Sequence, residues 1–112
     1  MIRSYTFGSI NIDGKVYRTD VLVFPDRINS QWWRQAGHLL NEKDLKEVFD
    51  FKPEILVIGT GASGLMKVEE SLKQTLEDKN IEFIIKRTPE AVDAFNLLRV
   101  SKRTAAAFHI TC

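Results

Sequence analysis

The sequence has 112 residues, of which 44% are hydrophobic and 28% are charged. This length and mixture predict one globular domain, residues 1–112, with a hydrophobic core of its own. The 16 basic residues nearly balance the 15 acidic ones, for a net charge of +1, which argues against partners such as nucleic acid or an anionic membrane.

The sequence also indicates a cellular compartment and excludes some kinds of site. The first residues form no long apolar run, and no stretch approaches the roughly 18 apolar residues of a membrane span, so neither a signal peptide nor a span is expected. The cytoplasm is therefore the predicted location. With one cysteine and two histidines, a disulfide framework is excluded and a metal site is not expected.

The first third of the chain predicts β structure. Polar and apolar residues alternate over 5–12, and Asp13-Gly14 then supplies the residue types that a type I′ hairpin turn favours. The second strand of the hairpin is predicted to continue through Phe24. A further short strand is predicted over 28–34.

A helix is predicted to follow Asn41. This residue is the expected N-cap, and Asp44, three residues later, completes a variant of the capping box. Leu40 and Leu45 are placed to form a hydrophobic staple across the helix start.

The rest of the chain alternates between strands and helices. A continuous apolar run over 55–58 predicts a strand covered on both faces, and a helix begins near Glu69, with Val68, Leu72 and Leu76 at helical spacing. A strand over 81–86 precedes a helix that Thr88 is expected to cap, with Pro89 in its first turn.

The last segment, 104–112, predicts a strand at the centre of the sheet. One face would carry Ala105, Ala107 and His109, while Ala106 and Phe108 lie on the other. Because both faces are small or apolar, structure is expected to pack on each side of the sheet.

A glycine-rich loop is the most conspicuous motif. The residues from Gly59 to Gly64 fit the pattern G-x-G-x-x-G between a buried strand and a helix, which is the setting of a dinucleotide site. The late helix start, the Lys86-Arg87 end of the next strand in place of an acidic residue, and the short chain all disfavour that interpretation. No cofactor is predicted.

Two simpler interpretations of the loop remain. Its N–H groups could bind a small anion together with Lys67 or Arg87, or its glycines could be present only for their backbone angles. The candidate ligand-binding residues are Gly59, Thr60, Gly61, Ser63, Lys67, Arg87, His109 and Thr111.

His109 and Cys112 invite comparison with a thiolate–imidazole pair. On one strand, however, residues three apart lie roughly 10 Å from each other and face opposite ways, so no catalytic residue is predicted and His109 is expected to be buried and hydrogen-bonded. Trp32 and Trp33 are adjacent and would face opposite ways on the predicted strand, so one is expected in the core. The other could contact a partner or could serve packing alone.

Several of these segments together resemble one small family. They are 56–61, 65–68, 81–83, Thr88 with Ala91 and Asn96, and the ending 107–112. The sequence resembles the adipogenesis-associated Mth-type domain family, a domain of unknown function that also occurs in the mitochondrial complex I assembly factor 3.

The resemblance implies a three-layer α/β fold with a mixed sheet, an N-terminal β-hairpin and a central C-terminal strand antiparallel to its neighbours. It draws attention to the glycine loop, Lys67, and the residues His109, Thr111 and Cys112, but it transfers no reaction. A default crossover connection would instead make the last strand parallel.

Two functions are therefore expected. The first is a non-catalytic binding or assembly-type domain that recruits a protein partner as a monomer or weak homodimer, with Trp32 and Trp33 as candidate contacts. The alternative is a protein or enzyme that binds a small anion or metabolite at the Gly59–Gly64 loop.

Overall fold

The structure is a computed structural model that describes residues 1–112. Its strands are β1 (Ile2–Thr6), β2 (Ser9–Ile12), β3 (Lys15–Tyr17), β4 (Val21–Val23), β5 (Ile28–Asn29), β6 (Leu39–Leu40), β7 (Ile55–Thr60), β8 (Lys67–Val68), β9 (Glu82–Lys86) and β10 (Thr104–His109). Its helices are α1 (Lys46–Phe51), which a 3₁₀ turn over Glu42–Leu45 precedes, α2 (Glu70–Asp78) and α3 (Thr88–Leu98).

The main sheet has five strands in the order β5-β4-β10-β7-β9. The C-terminal strand β10 lies at its centre, as predicted, parallel to β7 and antiparallel to β4. The expectation that it would be antiparallel to its neighbours is therefore wrong for β7. Helix α3 links β9 to β10 through a crossover connection, which returns the chain in the direction of the strand it left.

The sheet separates two apolar clusters, which gives the three-layer α/β architecture. On one face, residues such as Leu56 and Ala107 pack with Leu45 and with Leu72 of α2. On the other, Val57, Ala106 and Phe108 pack against α3 and against the small antiparallel sheet β1-β2-β3. The alternation predicted for the last strand is thus confirmed.

Several local predictions are confirmed by the backbone. Asp13 and Gly14 both have positive φ at the turn that joins β2 to β3, as a type I′ turn requires. Asn41 caps the first turn, and the capping box with Asp44 is complete on both sides. Asn80, with positive φ, follows the end of α2.

The predicted continuous strand from Lys15 to Phe24 is wrong. Strand β3 ends at Tyr17, and β4 belongs to the main sheet instead of the hairpin. The break falls at Asp20, whose carboxylate accepts a hydrogen bond from the N–H of Ile110. This long-range contact lies where the chain leaves the β1-β2-β3 sheet and enters the five-stranded sheet.

The strand predicted over 28–34 is also wrong beyond Asn29. The side chain of Asn29 accepts a hydrogen bond from the N–H of Gln31, which starts a turn. Trp32 then points inward, and its indole N–H donates to the carbonyl of Asp44.

Val68, placed on a helix face by its spacing, lies in β8 and pairs with β6.

The start of α3 and the end of β10 differ from the predictions. Arg87 occupies the N-cap of α3, and the Thr88 side chain makes no cap bond. Its hydroxyl instead donates to the carbonyl of His109 at 2.6 Å and accepts from the N–H of Gly61 at 2.9 Å. Strand β10 ends at His109, so Ile110 to Cys112 do not continue the ladder.

Candidate functional site

The glycine loop leaves the C-terminal end of β7 and is closed against the last residues of the chain. The N–H of Ala62 donates to the Thr111 carbonyl at 2.7 Å, and the N–H groups of Ser63 and Leu65 donate to Cys112 O at 3.2 and 3.1 Å. The N–H of Gly64 turns back onto Gly61 O. The donors that would cradle an anion are thus engaged within the chain.

Gly61 allows this closure. Its φ is +108°, a region that side chains rarely adopt. A Cβ built there would lie 2.3 Å from the main-chain carbon of Cys112 and 2.9 Å from Cδ2 of His109. The glycine is therefore required because the C-terminal segment passes over it.

A buried polar cluster of Asp20, Arg34 and His109 lies beside this closure. Asp20 Oδ2 is 2.6 Å from Nη1 of Arg34 and 2.9 Å from Nδ1 of His109. The Arg34 and His109 side chains are only 7% and 6% exposed, so the ion pair lies largely out of contact with water, where charges interact strongly.

Electrostatics keep Asp20 ionised. Burial raises the pKa of this carboxyl, but hydrogen bonds from His109, the Ile110 N–H and Arg34 outweigh burial and lower the pKa from 3.8 to about 2. Burial, assisted by the Asp20 charge, also raises the pKa of the Tyr5 phenol. That phenol donates to the Ile110 carbonyl, so the cluster and the end of β10 share one network.

The ionised carboxylate fixes the tautomer of His109. Nδ1 of His109 lies 2.9 Å from Asp20 Oδ2 and 3.3 Å from Nη2 of Arg34. Because the ionised carboxylate at the shorter distance can only accept, Nδ1 carries the proton that bonds to Asp20, and Nε2 is buried without a hydrogen-bond partner. The exposed His38 ring packs edge-on against the His109 ring, with centroids 5.9 Å apart. An Asp–His pair resembles part of a catalytic arrangement, but here the ring nitrogen that would meet a substrate is enclosed.

Arg34 also organises the loop that carries the two tryptophans. Its Nη2 donates to the Gly37 carbonyl at 2.7 Å, and its guanidinium lies 5.0 Å from the centre of the Trp32 ring. Trp32 is 9% exposed, whereas Trp33 is 73% exposed. The prediction that one tryptophan is in the core is confirmed, and the other projects from a loop held on both sides.

The candidate ligand-binding residues divide into separate environments. Thr60, Gly64 and Lys67 line an open cleft of about 350 Å³ together with Lys73 of α2. His109 faces Asp20 and is not part of this cleft, and Arg87 lies beside Gly64 with its guanidinium paired to Glu90. The other candidates contribute main-chain contacts, through the pairing of β7 with β10 and through the loop hydrogen bonds; they are Gly59, Gly61, Ser63 and Thr111.

Neither Asp20 nor Arg34 was among the candidate site residues that the sequence indicated. The available signal was a charged residue directly beside an apolar segment, since Asp20 precedes Val21 and Arg34 follows the tryptophan pair. Such charges are usually exposed. Only the fold, which brings positions 20, 34 and 109 together, reveals the cluster.

The family model described as "protein of unknown function (DUF498/DUF598)" matches residues 2–110. The chain belongs to this family, which confirms the resemblance to the Mth-type domains. It is 30% identical over 110 residues to the Danio rerio protein "NADH dehydrogenase [ubiquinone] 1 alpha subcomplex assembly factor 3". That match covers 96% of this chain and 62% of the assembly factor, so the chain spans less than two thirds of that relative.

Solved structures share this fold. The conserved hypothetical protein PH1505 from Pyrococcus horikoshii OT3 is 29% identical with a TM-score of 0.86, and the match covers 100% of this chain and 99% of that one. The protein MT938 is 28% identical with a TM-score of 0.81, covering 100% and 98%. No helix in this chain is both long enough and apolar enough to cross a membrane.

Proposed function

We propose that this chain is a non-catalytic binding domain of the assembly type, which docks a protein partner through Trp33. The observation that carries the proposal is a 73% exposed tryptophan between two neighbours whose side chains are buried. Tryptophan is enriched among residues that dominate binding energy, because it buries a large apolar area and loses few rotatable bonds.

The loop around Trp33 is held before any partner arrives. The indole of Trp32 donates to Asp44 O at 2.8 Å, Arg34 is bound to Asp20 and Gly37, and the N–H of Gln35 donates to the Asp44 carboxylate. A side chain displayed on a fixed loop loses little entropy on binding. The expected partner surface is an apolar pocket large enough for an indole ring.

Two further observations support a binding role. One relative is named as an assembly factor of the NADH dehydrogenase 1 alpha subcomplex. The enclosed Nε2 of His109 leaves the one Asp–His pair of the cluster without access to a substrate. Both favour recognition over catalysis.

To test this proposal, the wild-type protein and the variants Trp33→Ala and Leu97→Ala are immobilised separately. The proteins that each one captures from a cell lysate are quantified by mass spectrometry. Leu97, on α3, is 75% exposed and is the matched control. We expect wild type and L97A to retain the same protein and W33A to lose at least about nine tenths of it. A protein retained equally by W33A would contradict the proposal.

A small anion at the cleft beside the glycine loop is the second candidate. Lys67 is exposed there and forms no ion pair, whereas Lys73 is already paired with Glu70 at 3.0 Å. The Thr60 hydroxyl and Gly64 border the same cleft. Because the loop N–H groups are engaged within the chain, Lys67 would supply the attraction for an anion.

Thermal unfolding with inorganic phosphate tests this candidate. At about 100 times its dissociation constant, a bound ligand stabilises a protein by about 2.7 kcal/mol, which raises the melting temperature of a domain this size by about 10 °C. We expect Lys67→Ala to abolish the shift and the control Lys43→Ala to keep it. No shift in wild type, or an equal shift in K67A, would refute the site.

A further inference from the structure

Strand β9 is the long free edge of the main sheet. It pairs with β7 on one side and with no strand on the other, and the opposite edge strand β5 has only two residues. β9 contains no proline or bulge of the kind that blunts exposed edges, and its middle residues are half-buried. Such an edge is a template for pairing with another strand.

The hydrogen bonds fix which main-chain groups face outward. The N–H of Glu82 donates to the Glu54 carbonyl, and the Lys86 carbonyl accepts from the Thr60 hydroxyl, so these two residues direct their groups toward β7. Because the direction alternates along a strand, the N–H and carbonyl groups of Phe83 and Ile85 point away from the sheet. No strand of the chain pairs with them.

The sequence of β9, Glu-Phe-Ile-Ile-Lys, is complementary to itself in the antiparallel direction. If two copies pair with Ile84 opposite Ile84, Phe83 of each copy lies opposite Ile85 of the other. Phe83 and Ile85 are the residues whose N–H and carbonyl groups point outward. Each of the two Phe83–Ile85 pairs exchanges two main-chain hydrogen bonds, so four bonds join the two copies, which are related by a two-fold axis through Ile84. Glu82 then lies opposite Lys86 at both ends. Both side chains are exposed, and Glu82 also pairs with Lys102 of its own chain at 3.4 Å.

The surface beside the strand shows the same complementarity. The shallow cleft next to Phe83 carries Glu77 and Glu82, whereas the cleft next to Ile85 carries Lys67 and Lys73 with one acid, Glu70. Antiparallel pairing brings the acidic cleft of one copy against the basic cleft of the other. A parallel arrangement would instead place like charges together, which is unfavourable.

We propose that two copies of this chain associate through β9 edges in this antiparallel register, joining their five-stranded sheets into one continuous sheet. The interface is isologous, so it closes at the dimer. Trp33 is not part of β9, so the substitutions that test the dimer leave the proposed partner contact unaltered.

The experiment is sedimentation equilibrium of the full chain from about 1 µM to about 1 mM, a range that covers weak dimers. Four variants are compared: Glu82→Lys, Lys86→Glu, the double reversal E82K/K86E, and the control Lys15→Glu on β3, which removes an exposed strand lysine elsewhere. All substituted side chains are exposed, and unchanged melting temperatures verify folding.

For wild type and K15E we expect the mean mass to rise from 12.8 kDa toward twice that value. Each single reversal turns two attractive cross-strand pairs into repulsive ones and is expected to weaken the dimer by about fivefold or more. The double reversal, and an equimolar mixture of the E82K and K86E chains, restore complementary pairs and are expected to recover dimerisation.

Three outcomes would overturn the proposal. The first is a wild type that keeps the mass of one chain at the highest concentration, which would exclude a second copy as the occupant of this edge. The second is a dimer that the single reversals leave unchanged. The third is a double reversal that associates no better than the single ones, since the predicted register requires mutual rescue.

Discussion

Replacing Gly61 with alanine is expected to destabilise the protein by about 3–5 kcal/mol, the combined cost of a strained backbone and an overpacked site. The new methyl group would lie 2.3 Å from the main-chain carbon of Cys112, a neighbour that is not a flexible side chain. Relief requires displacement of the C-terminal segment, which would loosen its hydrogen bonds to Ala62, Ser63 and Leu65.

Gly8 provides the matched control for this substitution. It also has positive φ, +77°, but an added Cβ would meet nothing within 4 Å. Gly8→Ala therefore incurs only the backbone cost, about 1 kcal/mol. Chemical denaturation of both variants measures the difference, and an equal loss of stability in G8A and G61A would show that the C-terminal segment does not press on Gly61.

Removal of the Asp20 carboxylate is expected to cost about 3–5 kcal/mol, because Asp20→Ala leaves the Arg34 guanidinium buried without its counter-charge. The variant also leaves the N–H of Ile110 and Nδ1–H of His109 without their acceptor. Denaturation curves at neutral pH measure the loss.

A double-mutant cycle separates this interaction from simple loss of packing. Arg34→Met keeps an unbranched apolar stem and removes the charge of the side chain. In the combined variant the uncompensated charge is gone, so the loss is expected to be at least about 1 kcal/mol smaller than the sum of the single losses. Strictly additive losses would contradict an energetic coupling between the two side chains.

The same carboxylate gives a pH dependence. Its pKa is about 2 in the folded protein against 3.8 for the ordinary side chain, so the unfolded chain binds the proton more readily. The stabilisation is complete above the ordinary value and is lost as the pH falls from about 4 to about 2. We expect Asp20→Asn to flatten the stability profile in that interval.

The sequence predicted local structure well where neighbouring residues decide it. The Asp13-Gly14 turn requires positive φ at adjacent positions, and the Asn41 capping box acts within one turn, so both could be inferred from a few residues. The central place of β10 followed from its two apolar faces. These features depend on spacing and side-chain size alone.

Predictions failed where distant contacts decide the backbone. The strand break at Asp20 depends on Ile110, 90 positions away, and the turn that Asn29 starts with Gln31 leads into Trp32, whose indole reaches Asp44. Nothing near these residues indicates their partners. Local propensity favoured longer strands in both places, and tertiary hydrogen bonds prevailed.

The glycine loop shows the same limit at the candidate site. Its pattern predicted available N–H groups, yet the acceptors that engage them are main-chain oxygens of Thr111 and Cys112. Main-chain acceptors leave no trace in side-chain identity, so the sequence could not show that the loop is closed. Trp32 and Trp33 do lie in different environments, but they occupy a loop and not the predicted strand, and the bond from the Trp32 indole to the Asp44 carbonyl holds Trp32 inward.

The proposed function depends on Trp33 as the residue that contacts a partner, and the affinity of the captured protein tests this contact most directly. Titration calorimetry of that protein into wild type, W33A and L97A gives three dissociation constants. We predict that W33A raises the constant at least about tenfold, as expected for a dominant interface tryptophan, while L97A leaves it within about twofold. Equal constants for wild type and W33A would contradict the account.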